Sequence, residues 1–321
     1  MSAPTVEAVL GVGGDHLPGL MARLEERLTA VAAEHGTALA TEAGDTIAAG
    51  GKRLRPLLVF LAAGPPEDEA GLLRAALAVE LVHSATLVHD DVLDAADLRR
   101  GRPTVVARAG RAMATATGDL LFSRAFAELA ANGRADEVRA LSRASSALAM
   151  GELVQRSDAW DAGVPLDRYL WRCELKTARL FEAAAELGAM ETAGPVEALG
   201  AFGRGIGLAF QILDDVLDVS GPESRTGKRR GADLLDGTVT LPLILARERD
   251  PELGSLDVRA VTAEQAEAVC DRIEATGALA ESRRRALAIV AGAKDGLPAG
   301  LPEQQRVALR LVADGVVERY A

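Results

Sequence analysis

Two stretches, Leu87-Val88-His89-Asp90-Asp91-Val92-Leu93-Asp94 and Ile212-Leu213-Asp214-Asp215-Val216-Leu217-Asp218, each place three aspartates in five positions inside an apolar run. On a helix turning about 100° per residue, with Asp90 at zero, Asp94 falls near 40° and Asp91 near 100°. The three carboxylates are therefore expected on one face. Two carboxylates about 5 Å apart repel by roughly 3 kcal/mol at an effective dielectric near 20. Three together, twice over, make a poor core unless a cation sits among them. Oxygen-only donors suit Mg²⁺, which keeps several waters and shares its shell with phosphate oxygens. One acidic triplet reads equally well as a solvated helix face; two copies embedded in Leu, Val and Ile do not. Facing clusters of this kind predict a Mg²⁺-diphosphate clamp.

The rest of the chain is punctuated by Gly and Pro, at Gly13-Gly14, Gly50-Gly51, Gly64-Pro65-Pro66, Gly101-Arg102-Pro103, Gly163-Val164-Pro165, Gly194-Pro195 and Gly221-Pro222. Between the breaks lie Ala/Leu/Glu/Arg-rich segments of strong helix formers with helical periodicity. No segment alternates like a strand, and no composition shift marks a boundary. The expectation is one all-α domain over residues 1–321, a single large bundle of ten or more helices. A net charge of −11 disfavours nucleic acid and anionic membrane as partners, so local basic clusters stand out. Cys173 and Cys270, far apart in helical context, form neither a disulfide framework nor a zinc pattern. The N-terminus lacks the features of a signal peptide, and no run approaches the roughly 20 apolar residues of a membrane span. A soluble, cytoplasmic protein is expected.

The basic clusters fall in suggestive places. In Gly50-Gly51-Lys52-Arg53-Leu54-Arg55-Pro56, two glycines before a helix start let backbone N–H groups approach a phosphate, and Lys52 and Arg55 lie on neighbouring parts of one face. Taken alone this is a solvated turn. His83 precedes Asp90 by about two helical turns, projecting from the carboxylate face about 10 Å further down. Arg99-Arg100-Gly101-Arg102-Pro103-Thr104 follows the first acidic set, and guanidinium forks match phosphate oxygens. Lys176-Thr177 sits mid-helix, and Gln211 shares the arc of Asp214. From Val219 to Thr240 runs a glycine-rich basic loop whose composition suits a flap closing on an anion. The first acidic set also ends its helix, where the helix dipole disfavours anions; a bound metal would reverse that sign.

From Gly50 to about Pro242 these motifs, in combination, resemble the trans-polyprenyl diphosphate synthase (polyprenyl synthetase) family, of the type I isoprenoid synthase fold. The resemblance implies a helical bundle around a central cavity. The reaction it implies is Mg²⁺-assisted ionisation of an allylic prenyl diphosphate, followed by condensation with isopentenyl diphosphate. By that resemblance Asp90, Asp94 and Asp214 ligate Mg²⁺, of which three are expected, and Asp91, Asp215 and Asp218 serve as ligands or hold metal-bound waters. Lys52, Arg55, His83 and Arg100 would bind the homoallylic diphosphate, and Arg99, Lys176 and Lys228 the allylic one. Thr177 and Gln211 would flank the developing cation. Small side chains at Val82, Ala85 and Thr86, just before Asp90, imply a product of geranylgeranyl length or longer, with Phe122 and Phe126 as a deeper floor. One position departs from the family pattern: Gly237-Thr238-Val239-Thr240-Leu241-Pro242 has Thr238 where the family often has a lysine, and Arg229 or Arg230 is the candidate substitute. The family also implies a homodimer.

Three other readings compete. A metal-dependent phosphohydrolase of the HD type needs several histidine ligands, and only His16, His35, His83 and His89 exist. A type I terpene cyclase has no need of Lys52, Arg55 or a second complete acidic set. A regulatory subunit of a heteromeric synthase tolerates lost aspartates, and here all six are present.

Overall fold

The computed structural model describes residues 3–33, 44, 46–47, 51–66, 68–99, 101–221 and 229–318. In chain order come α1 (Ala3–Val12), α2 (His16–Ala33), α3 (Leu54–Ala63) and α4 (Glu69–Leu93). A hairpin of β1 (Leu98–Arg99) and β2 (Arg102–Pro103) precedes α5 (Val105–Ala130) and α6 (Ala135–Ser157). Next are α7 (Leu166–Cys173), a π-helical turn (Glu174–Ala178), α8 (Arg179–Glu191) and α9 (Val196–Ser220). The chain ends with α10 (Ala232–Leu235), α11 (Leu241–Arg249), α12 (Pro251–Gly254), a 3₁₀ turn (Val258–Ala260), α13 (Ala266–Ala275), α14 (Ala278–Asp295) and α15 (Glu303–Glu318). The all-α expectation holds. The hairpin is the exception that sequence missed: Gly101, at φ 74, turns two short extended segments too brief to show alternation.

Local chemistry explains the helix starts. Asp68 caps α4 by accepting from the Ala70 and Gly71 amides, and the Thr104 hydroxyl caps α5 by accepting from Ala107. Helices α4, α5, α8 and α9 pack around a continuous apolar core that includes Phe60, Phe181 and Phe202. Few aromatics and many alanines allow close approach. At Gly188 a Cβ would run into the Val59 carbonyl, so α8 crosses α3 with backbones nearly touching.

Contrary to the sequence expectation, two helices, α4 and α9, are long and apolar enough to cross a membrane by length and composition. In α4 the cause is burial: 78% of its apolar window lies inside the protein. Within that buried stretch His83, Leu87, His89 and Asp90 are half-buried. His83, Leu87 and Asp90 follow helical spacing and mark one face opening toward α6 and the π turn. Both cysteines are free and buried, as expected.

The opposite end of α4, about 28 Å from Asp90 at 1.5 Å per residue, is closed by polar groups. Asn132 donates to the Gly71 carbonyl (3.1 Å), Glu137 (2.9 Å) and Glu191 (3.1 Å), and accepts from Arg74 (2.5 Å). Burial and the Glu137 carboxylate hydrogen-bonded to it push Glu191 up to about 8; Asp68 adds to this, and Arg134 opposes it. A carboxyl whose folded pKa lies above its unfolded value favours the fold at low pH. Its contribution is complete below about 4.5 and is lost as pH rises toward 8. The melting temperature should therefore fall across that window, and Glu191→Gln should flatten the fall; an unchanged slope in pH-resolved melting curves would refute the assignment.

Candidate active site

Each acidic set divides in the same way. On α4, Asp90 is half-buried on the open face and Asp94 is exposed at the helix C-cap, whereas Asp91 is 4% exposed and accepts from Arg99 Nε at 2.7 Å. On α9, Gln211 is half-buried, Asp214 exposed and Asp218 half-buried, whereas Asp215 is 3% exposed. Asp215 accepts from the Tyr169 hydroxyl at 2.5 Å and from Gln211 Nε2 at 2.8 Å. The three carboxylates of a set thus do not share one face as expected. A residue about 100° from its neighbour sits at the edge of the arc, and in both copies packing turns it inward onto a fixed donor. Burial holds Asp215 well above the usual carboxylate range, with Asp233 and Asp214 adding to this and its two donors opposing it. Burial also raises Asp90, to about 6; Glu152 and Asp94 push the same way, while Lys176 and Arg99 pull it down.

Between the arcs lies the π turn, whose consecutive residues reach opposite ways. Lys176 Nζ donates to Glu152 at 2.5 Å and lies within the fields of Asp90 and Asp94. Thr177 Oγ1 donates to Gln211 Oε1 at 2.6 Å. Glu152 also accepts from Arg156 (2.7 Å), which in turn binds Asp94 (2.5 Å). Polar contacts therefore run from Asp94 through Arg156 and Glu152 to Lys176, and from Thr177 through Gln211 and Asp215 to Tyr169. The close approach of α6 requires Gly151, where a Cβ would lie 2.6 Å from the Lys176 backbone nitrogen. The i→i+5 widening of the π turn lies where Lys176 and Thr177 leave the helix for the two acidic sets. Lys176, Arg99 and Arg156 supply the positive charge that the C-terminal end of α4 cannot.

The basic turn approaches from α3. Lys52 is exposed, and the Arg55 guanidinium lies 4.5 Å from the centre of the Phe181 ring, which packs on Phe210 beside Gln211. Val82 and Ala85 are fully buried, and the buried Thr86 donates its hydroxyl to the His83 carbonyl at 2.7 Å. Phe122 stacks on His89 at 5.8 Å, level with the aspartates rather than deeper. Gly50, Arg100 and Lys228 lie outside the described residues. The loop carrying Thr238 is fixed by Trp160, whose amide donates to Gly237, and by Arg172, which donates to Val239 at 2.6 Å. Arg230 points to Val219, Asp271 and Glu274, so it does not take the place of the absent lysine.

Glu152, Arg156 and Tyr169 join the site without having been singled out in sequence. Glu152 and Arg156 look like an ordinary surface i,i+4 pair, and Tyr169 sits on a short amphipathic helix. Only contacts across 24, 62 and 46 residues respectively give them their roles.

Among the described residues no three acidic, histidine or cysteine side chains converge closely enough to cage a metal alone. The donors on the two open arcs are carboxylate oxygens, and this fits Mg²⁺, which binds through one or two carboxylates and completes its shell with water and substrate phosphate.

A family model described as Polyprenyl synthetase matches residues 37–275. The chain is 43% identical over 231 residues to heptaprenyl diphosphate synthase component 2 of Geobacillus stearothermophilus, covering 70% of this chain and 72% of that one. It is 36% identical over 281 residues to the geranylgeranyl diphosphate synthase of Methanosarcina mazei, covering 84% and 86%. A polyprenyl synthase from Caulobacter crescentus, solved in complex with calcium and isoprenyl diphosphate, superposes with a TM-score of 0.90 at 34% identity over 98% of both chains.

Proposed function

The chain belongs to the polyprenyl synthetase family, and from that premise we propose which of its residues carry out the condensation and what they make. It is a prenyl diphosphate synthase, a transferase that joins an allylic prenyl diphosphate to isopentenyl diphosphate. One observation carries the assignment of roles. The π turn sets Lys176 in the field of the Asp90–Asp94 arc and Thr177 against Gln211 beside Asp214, so one turn links both acidic sets and places a cation between them.

Asp90, Asp94, Asp214 and Asp218 would hold the Mg²⁺ ions, three by family resemblance, while Asp91 and Asp215 fix the arcs from behind through Arg99, Tyr169 and Gln211. Bound Mg²⁺ supplies Lewis-acid neutralisation of diphosphate charge. Lys176 and Arg99, joined by family resemblance by Lys228, would place positive charge where the allylic diphosphate departs, and such preorganised charge acts most strongly as the C–O bond breaks. Thr177 and Gln211 present oxygen atoms beside the allylic cation. Lys52, Arg55 and His83, joined by family resemblance by Arg100, would grip the second diphosphate so that its double bond faces that cation. The proton lost afterwards passes to the released diphosphate, so no His–Asp base is required.

Purified protein with Mg²⁺, isopentenyl diphosphate and each allylic primer in turn tests this directly. Condensation by the chain alone, as the homodimer that family resemblance favours, is expected. A second reading comes from the relative named as component 2 of a heptaprenyl synthase: activity only after a second polypeptide is added would establish a heteromeric enzyme. The two free, buried thiols suit a reducing compartment, and we place the protein in the cytoplasm.

Product length rests on the small residues preceding Asp90. Val82, Ala85 and Thr86 are small side chains buried in the turns before Asp90, and by family resemblance small residues here go with a product of geranylgeranyl length or longer. Ala85→Phe should shorten it by one or more isoprene units, read by chromatography of the dephosphorylated alcohols. The same product from both proteins would remove this assignment.

A further inference from the structure

Of the three cations in the basic turn, Arg53 is the buried one. It is 7% exposed, and its backbone is left-handed, at φ 44 and ψ 41, a conformation that side chains other than glycine adopt only when their surroundings enforce it. Nε donates to Glu25 of α2 at 2.6 Å and Nη2 to the same carboxylate at 3.1 Å. Nη1 donates to Glu80 of α4 at 2.8 Å, and Nη2 also donates to the Ile47 carbonyl at 2.9 Å. Every guanidinium nitrogen is thus engaged, and the planar fork fixes orientation as well as charge.

This arrangement has a consequence for its neighbours. Glu80 is 4% exposed on α4 and lies one turn before His83. Pinning Arg53 to Glu80 brings the 51–55 turn alongside the level of His83. Leu54 begins α3 straight after the left-handed residue, so Arg55 is launched across the core onto the Phe181 ring while Lys52 stays at the surface. The field of Arg55 reaches Glu80 as well.

We propose that Arg53 is a positioning residue for the homoallylic diphosphate: clamped between Glu25 and Glu80, it sets the backbone from which Lys52 and Arg55 meet His83. This rests on the assignment of Lys52, Arg55 and His83 to that diphosphate. Arg53 itself touches no substrate; it acts through the turn.

Steady-state kinetics of the full-length protein, varying each substrate separately, test it. Arg53→Lys keeps the charge but loses the fork, and should raise KM for isopentenyl diphosphate about tenfold with kcat and the allylic KM within about twofold. Glu25→Gln weakens the clamp from its half-exposed side and should raise the same KM by about threefold. It is the variant to use if Arg53→Lys does not fold. A merely structural role would lower kcat or the active fraction for both substrates alike, and that pattern overturns the proposal. Lys52→Ala separates the two levels. If it raises the isopentenyl diphosphate KM while Glu25→Gln and Arg53→Lys do not, Arg53 is not a positioning residue. If none of the three changes that KM, the diphosphate assignment itself falls and takes the clamp with it.

Discussion

Asp90→Asn is expected to lower kcat by about a thousandfold, the scale of losing a preorganised electrostatic contact in a transition state, without loosening the metal-free fold. Asp90 stands on the open face of α4, where burial, Glu152 and Asp94 all oppose its charge. Asparagine fills the same space and removes the opposed charge, so the melting temperature without Mg²⁺ should stay level or rise. Mg²⁺ added with a non-hydrolysable allylic diphosphate should stabilise the parent protein by mass action and the variant much less. Such a separation marks a ligand rather than a structural residue. Turnover within tenfold of the parent, with stabilisation intact, would show that Asp90 holds nothing. Asp215→Asn gives the contrast, because Asp215 is buried under Tyr169 and Gln211. Its loss should cost the metal-free fold some stability.

The helical architecture and the aspartates, lysines and arginines at its centre were legible because their signals are local. Gly and Pro set the boundaries, and the acidic triplets repeat at a spacing that only a helix turns into a site. What the sequence hid were choices made by packing. A helical wheel treats Asp91 and Asp215 as part of an arc, and only the positions of Arg99 and Tyr169 decide that they turn inward. Arg53 sits in a recognisable motif, yet nothing local distinguishes it from Lys52 or Arg55; Glu25 and Glu80, 28 and 27 residues away, do so. The apolar content of α4 was underestimated for a related reason. Charged residues interrupt the run in sequence, yet the helix remains apolar enough on average to pass for a span, and the neighbouring helices bury Glu80 and Asp91 with its apolar side chains.

Lys176→Ala should separate two roles that one ammonium performs. As the cation whose field reaches Asp90, Glu152 and Asp94 together, it offsets their mutual repulsion in the resting protein, and it faces the allylic diphosphate as that group leaves. Removing it leaves Glu152, whose side chain is 12% exposed, with Arg156 but without its second cationic partner, and breaking such a partly buried pair from one side costs about 1–3 kcal/mol. It should also lower kcat by about a hundredfold or more. The double variant Glu152→Gln/Lys176→Ala resolves the two. Neutralising Glu152 removes the underpaired charge, so most of the lost stability should return, whereas the missing positive charge at the diphosphate does not, so kcat should remain low. Coupling in stability without coupling in rate is the signature expected from this cycle. If activity returned together with stability, Lys176 would be a structural counter-ion to Glu152, and charge stabilisation of the departing diphosphate would have to come from the arginines alone.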